Sequence, residues 1–562
     1  MGKKAIVLFI ALVIMAIFLI ATSAYFSGLV AEKRITDNQR FVLQALWLAD
    51  TGANHGLSEL RERIRTDLKA ALASVSQSSL IKNYVTNNDS LGFLRDYACA
   101  AGGSQFVISS NQAVLPVSGL NLNTSVQGSY NANIIVAANG DPTNPSTDVF
   151  IFPYKFSIDA AGQVTNVAPN ALKHIRLLQG SFTLTVRKDN FAKFALFTSH
   201  HTTPGGTTVW FTANTNFTGP VATNTRFAFA NNPSGHFTEE VTQHLSKALF
   251  YNNGYSKLLN ADSNPPRDMP IFDRGFRRGE DTINLESSLS QADLKNEALG
   301  GSGEPGGNGI YVPNDGTNVI GGIYVRGNQG SHSDDAVISM GVDTDNNPVY
   351  TITQSSTTRT ITVDYQLNQT KVQAGQVTNT YNGVPDGVGN EGIIIYVNDD
   401  IKGFSGTVQK DTEITVASER DLVITNNVLF QQYTPNPLSA QGYSNNLGII
   451  SWGGNVRIGT AAPNNINIHG VVMAPHGVFT VDNYNAGQPR GTATLLGGVI
   501  SDYYGAFGTF YGATQISGYG RNFVYDARML EGITPPYFPY MAAFSAFDSG
   551  LNSKLVWQDA GS

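Results

Sequence analysis

MGKKAIVLFIALVIMAIFLIATSAYFSGLVAEKR (Met1–Arg34) opens the chain, and its reading decides how everything after it is placed. No charged side chain occurs from Ala5 to Ala31, a run of 27 residues. About 20 suffice to cross a bilayer as a helix. Lys3 and Lys4 precede the run, so the positive-inside tendency sets the N-terminus in the cytoplasm and the rest outside. A secretory signal is the competing reading, because Ala21-Thr22-Ser23-Ala24 offers small residues to a signal peptidase. Its apolar region is normally only about 7–15 residues long, and here a second helical pattern follows directly. Val42, Leu46, Ala49, Ala53, Leu57, Leu60, Ile64, Leu68, Leu72 and Val75 recur at helical spacing, and no proline occurs before Pro116. The expectation is one rod on the order of 110 Å long, a membrane or leader helix over 1–31 continued by an amphipathic helix over 32–76.

Small residues at four-residue spacing, Ala24 with Gly28 and Gly52 with Gly56, mark places where neighbouring helices can approach closely. The plainer reading is a weak spot, since interior glycine costs about 1 kcal/mol against alanine. With Leu46, Leu57, Leu60 and Ile64 they are the expected anchoring and helix-packing residues.

At 562 residues two or more folded units are expected, unless one is built of repeats. Charged residues make up 14%, against about 25% in ordinary domains, while hydrophobics stand at 41% and glycine is abundant. That composition folds, with turn formers in place of charge. A net charge of −7 offers no basic face for nucleic acid. The single cysteine, Cys99, excludes an internal disulfide and a Cys-rich zinc site, and it reads as a buried residue with no motif around it.

The apolar span, LVAEKRITDNQRF (Leu29–Phe41) and ALWLADTGANHGL (Ala45–Leu57) together resemble the N-terminal segment of PilX-type minor pilins and related type IV pilus assembly proteins. Asp50 stands where that pattern usually has glutamate. Unlike a major pilin, the span contains no acid, and only Gly2 precedes Lys3. Because the span is too long for an ordinary signal and merges without a breaker into the amphipathic stripe, the mature chain is expected to keep the apolar stretch, starting at Met1 or, after leader cleavage, at Lys3. The resemblance implies partners: the inner membrane, and other pilin-like subunits met through the helix.

Further on, alternation replaces the helical period. YKFSIDAAGQVTNV (Tyr154–Val167) reads as a hairpin around Asp159–Gly162, and HIRLLQGSFTLTVRK (His174–Lys188) as two more strands. Residues 85–190 are therefore expected to form a mixed β head or an antiparallel one. From 194 to 535 short apolar pairs such as Ile414/Val416, Leu422/Ile424 and Ile466/Ile468 are separated by Gly, Asn and Asp, and GIYV recurs at Gly309 and Gly322. The fold class expected is mainly β with a long N-terminal α-helix: a helix plus head, then a parallel β-helix, the alternative being an antiparallel β-sandwich. A hairpin insertion is expected at 336–365 and a C-terminal tail at 536–562. The body resembles uncharacterised Gly/Asn-rich bacterial envelope proteins, most closely over Phe191–Gly235 and Gly518–Pro539, and that resemblance implies no reaction.

Chemistry is sparse. Asp343, Asp345 and Asn347 are calcium-loop residue types, but Pro348 and Gln354 stand where an EF-hand needs glycine and glutamate, so a plain turn is expected. Asp399-Asp400, with His469 and His476 downstream, is the best carboxylate constellation. Neighbours in a strand point to opposite faces, so the two aspartates share a site only in a turn or bulge. His200-His201 lacks an assignable third metal ligand. No cofactor fingerprint or catalytic motif occurs. The expected function is non-enzymatic, a membrane-anchored minor-pilin-like structural or assembly protein with its β body outside. The rival is an anchored envelope β-helix that binds or cleaves glycans.

Overall fold

The computed structural model describes residues 3–75, 77–98, 106–109, 111–117, 128–146, 149–164, 172–212, 215–230, 235–252, 255–259, 269–285, 290–327, 335–433, 444–511, 514–530, 532–551 and 555–559. Cys99 lies outside them. The chain divides into two compact units, Met1–Lys188 with Ala543–Ser562, and Asp189–Ala542.

The first unit begins with a helix, Lys3–Glu62, that passes through a π turn at Arg63–Asp67 into Leu68–Leu72. Its apolar run from residue 5 to 31 is exposed throughout. Beyond it one stripe, Ala45, Ala49, Ala53, Leu57, Leu60, Ile64, Leu68 and Leu72, is buried, while Val42 is exposed and Leu46 half-buried. The stripe lies on Val149–Val164 and Gly128–Ala138, central strands of a sheet ordered Val107–Ser109, Gln112–Val117, Gly128–Ala138, Val149–Val164, Leu172–Asn190, Tyr540–Ser549. Burial along Val149–Val164 alternates strictly, with Phe150, Phe152, Tyr154, Phe156, Ile158 and Ala160 inside, as in a sheet covered on one face.

Three expectations are corrected in this unit. The segment expected as a hairpin around Asp159–Gly162 is one strand to Val164: Asp159 pairs with Asn133 and Leu177, Gly162 with Tyr130 and His174. Gly162 serves close approach and not a turn, for a Cβ there would sit 2.2 Å from the Ala45 carbonyl oxygen. Likewise Leu172–Asn190 is a single strand. Of the two pairings expected for the head, the antiparallel one is present in every described register, beside helices Ser78–Thr86 and Ser90–Tyr97. The expected C-terminal tail is also structured. Tyr540–Ser549 joins the sheet edge, Val556–Asp559 pairs antiparallel with Leu172–Asn190, and Arg65 reaches Asp548 at 2.8 Å.

In the second unit the long-range pairing is parallel. One ladder runs Phe276–Arg278, Val241–Gln243, Val221–Thr223, Leu196–His200, Pro489–Tyr503, Asn467–Ala474, Asn446–Ser451, Glu413–Ser418, Ile393–Val397, Ile323–Arg326. A second runs Ala336–Val342, Ile401–Val408, Leu422–Phe430, Val456–Ile458, Phe479–Val481. Strands such as Ile393–Val397 and Asn446–Ser451 are buried at every position, as parallel strands covered on both faces must be. An antiparallel sandwich does not describe these ladders. The first strand of the unit, Leu196–His200, pairs with a late one, Pro489–Tyr503, and in sequence the unit lies between the two parts of the first.

Phe217, Phe237 and Phe272 occupy equivalent positions on three paired strands and stack at 5.8 and 5.4 Å. The hairpin insertion is longer than expected. Its strands continue antiparallel to Val377–Asn382, and its first, Ala336–Val342, belongs to the second parallel ladder.

Candidate functional site

The helix residues expected to meet other subunits divide into two groups. Ala24 and Gly28 lie on the exposed apolar run, with nothing within 4 Å of a Cβ built on Gly28. Gly52, Gly56, Leu57, Leu60 and Ile64 are buried in the unit's own core, and this corrects their expected role. A Cβ on Gly52 would meet the Tyr130 ring at 2.9 Å, and one on Gly56 would meet Ile158 at 2.7 Å. These glycines seat the helix on its own sheet. Asp50 holds the same contact from the side, accepting a 2.6 Å bond from Arg176 Nε. The remaining half of the helix is long and apolar enough to cross a membrane, a property it shares with a signal sequence.

Asp399 and Asp400 sit in the turn between Ile393–Val397 and Ile401–Val408, the circumstance in which adjacent carboxylates converge. Asp335, just before Ala336–Val342, completes a cluster whose carboxylate oxygens lie within 4.8 Å of one another. Three such oxygens are the donor set of a hard divalent cation. The chain itself also answers them: Asp400 N–H donates to Asp399, Asp421 N–H to Asp400, and Arg420 lies 3.7 Å from Asp399. Sequence reading missed Asp335 because 64 positions separate it from Asp399.

The two histidines expected to accompany these aspartates have other partners. His469 Nδ1 accepts from Phe430 N–H at 3.0 Å, and burial pulls its pKa down to about 4. His476 is exposed and lines a cleft with Asp502. His200 and His201 also part. His200 Nδ1 lies 2.9 Å from Asp502 Oδ1 and its ring lies flat on Tyr503. His201 is enclosed by Phe211, Phe227 and Tyr504, neither ring nitrogen has a hydrogen-bond partner, and burial, then Arg521, lowers its pKa to about 3. Asp343 accepts from the N–H groups of Asp345 and Asn347 in a tight turn with Asn346 at positive φ.

The cleft beside His476 and Asp502 has a volume of about 480 Å³ and is also lined by Ser199, Asn224, Thr282 and Ile283. It was not legible as a motif, because its walls come from five distant segments.

Residues 150–244 match a family model described as a domain of unknown function (DUF4900). The match runs through the last long strands of the first unit and into the opening strands of the second. No curated protein matches the chain, and no solved structure does.

Proposed function

We propose that this chain is a membrane-anchored, non-enzymatic subunit of a type IV pilus-like system in a bacterial envelope, structural or assembly-related in the manner of PilX-type minor pilins. One observation carries the reading: a single unbroken helix is apolar and exposed over its first half and packed on an antiparallel sheet over its second. An exposed apolar surface of that length is unstable in water, so it calls for lipid or for other apolar helices. Under this reading Ala24 and Gly28 lie on the face offered to the inner membrane and to partner helices, while Leu57, Leu60 and Ile64 hold the subunit together.

The second unit is read as a parallel β-helix projecting outward. Support comes from two parallel ladders whose strands interleave in sequence, and from equivalent stacked side chains on consecutive passes.

Intact mass of the protein from its native envelope, together with fractionation of sheared pili, tests the proposal. Mature protein starting at Met1 or Lys3 and recovered in the pilus fraction is expected. A start at Ala24 or Tyr25 would make the stretch a signal peptide and remove the proposal. Recovery with membrane alone would leave a simple anchor and no pilus subunit.

A further inference from the structure

The parallel ladder brings four remote segments into one row. Ala474 is level with Ser501, Ser501 with Thr198, and Thr198 with Thr223. One residue further along each strand stand Pro475, Asp502, Ser199 and Asn224, and these line the 480 Å³ cleft. The facing wall, around Ile283, is pinned by Asn224, whose amide donates to the Ile283 carbonyl at 2.7 Å while its oxygen accepts from Ile283 N–H at 2.8 Å. One residue beyond the row come the register partners Tyr503 and His200, rings 4.6 Å apart and inclined by 15°.

The lining offers hydroxyls, an amide, an imidazole and one carboxylate that already faces His200. Among the described residues no lysine or arginine lines it, so a phosphate or sulfate would meet no fixed cation from them. A wholly apolar ligand would strip water from these groups and pair none of them. A polyhydroxylated neutral chain fits both needs, since each hydroxyl donates and accepts while its C–H faces suit Ile283, Leu285 and Pro475. Strands in a sheet repeat at about 4.8 Å, the scale of one sugar ring, so polar groups recur along the row at glycan spacing.

We propose that this cleft binds a neutral glycan strand lying across the four strands, with Asp502 and His476 bonding neighbouring hydroxyls. The site is independent of the role assigned to the helix.

The test uses full-length protein in phosphatidylcholine nanodiscs, which contain no sugar, on a printed array of neutral and acidic oligosaccharides, followed by calorimetric titration of the strongest neutral binder. Retention of neutral glycans is expected, with His476→Ala together with Asp502→Asn weakening binding by roughly tenfold or more, the loss of two hydrogen bonds. Thr282→Val, an exposed substitution with no fold penalty, should weaken it to a smaller degree, with circular dichroism unchanged in every variant. No retention of any neutral glycan, stronger binding of acidic glycans, or full affinity in the folded variants would each overturn the proposal.

Discussion

Val149–Val164 in the first unit and Ile393–Val397 in the second are both rich in large apolar residues, yet one is buried at alternate positions and the other at every position. The difference follows from partners. The first strand lies in an antiparallel sheet with a helix on one face and solvent on the other. The second sits in a parallel ladder closed on both sides, where an outward side chain would also lose water. One unit therefore depends on a helix for its core, and the other on the parallel pairing of its own strands.

The largest test of that contrast is Leu60→Asp. Leu60 is fully buried between the helix and its sheet, and an unpaired charge there costs enough to consume a typical unit's whole stability of about 5–15 kcal/mol. Calorimetry should lose the transition of the first unit and keep that of the second. Loss of both would show that the units do not fold independently, and loss of neither would place the stripe outside the core.

Phe237→Ala removes the middle ring of a three-ring stack and should cost the second unit about 3–5 kcal/mol, leaving the first unchanged. Equal lowering of both transitions would break the comparison.

His201 supplies a pH-dependent version. Its folded pKa of about 3 lies below the ordinary 6.5, so its stabilisation is complete above pH 6.5 and is lost as pH falls towards 3, where the unfolded chain takes the proton first. At pH 4 this amounts to about 3 kcal/mol in the second unit. Carboxylates titrate in the same range, so the measurement is the difference between wild type and His201→Phe in denaturant midpoint across pH 4–7. Parallel curves would show that His201 contributes nothing.

Gly162→Ala pushes a methyl group against the Ala45 carbonyl, and overpacking of that kind should lower the first transition by about 1–3 kcal/mol. An unchanged transition would mean that the helix can lift off its sheet without cost. The smallest effect is expected from Arg65→Ala. Its pair with Asp548 ties the returning C-terminal strand to the helix, but with Arg65 43% exposed it contributes about 0.5 kcal/mol or less. A much larger loss would mark that return as a main support of the first unit.

Local periodicity made much of this legible. The stripe from Ala49 to Leu72 has the spacing of a helix face, and Phe150 to Ile158 alternate as a half-covered strand does. A repeat was also present and went unread: FTGPV at Phe217 and FTEEV at Phe237 stand 20 residues apart and stack in register. Gly162 misled, because glycine signals a turn and a close contact with the same letter. At the candidate site the Asp399-Asp400 pair was visible, whereas Asp335 and the row through Pro475, Asp502, Ser199 and Asn224 were not.

Backbone period is a property of neighbouring residues, so helix, strand and the 27-residue apolar run can be read directly from the chain. What covers an apolar face is not local. Leu57, Leu60 and Ile64 have the same spacing whether they meet another subunit or their own sheet, and the choice rests on strands 64 or more residues away closing around them. Parallel pairing has the same character, since it joins segments as distant as Thr198 and Ser501 through a register that no short stretch records.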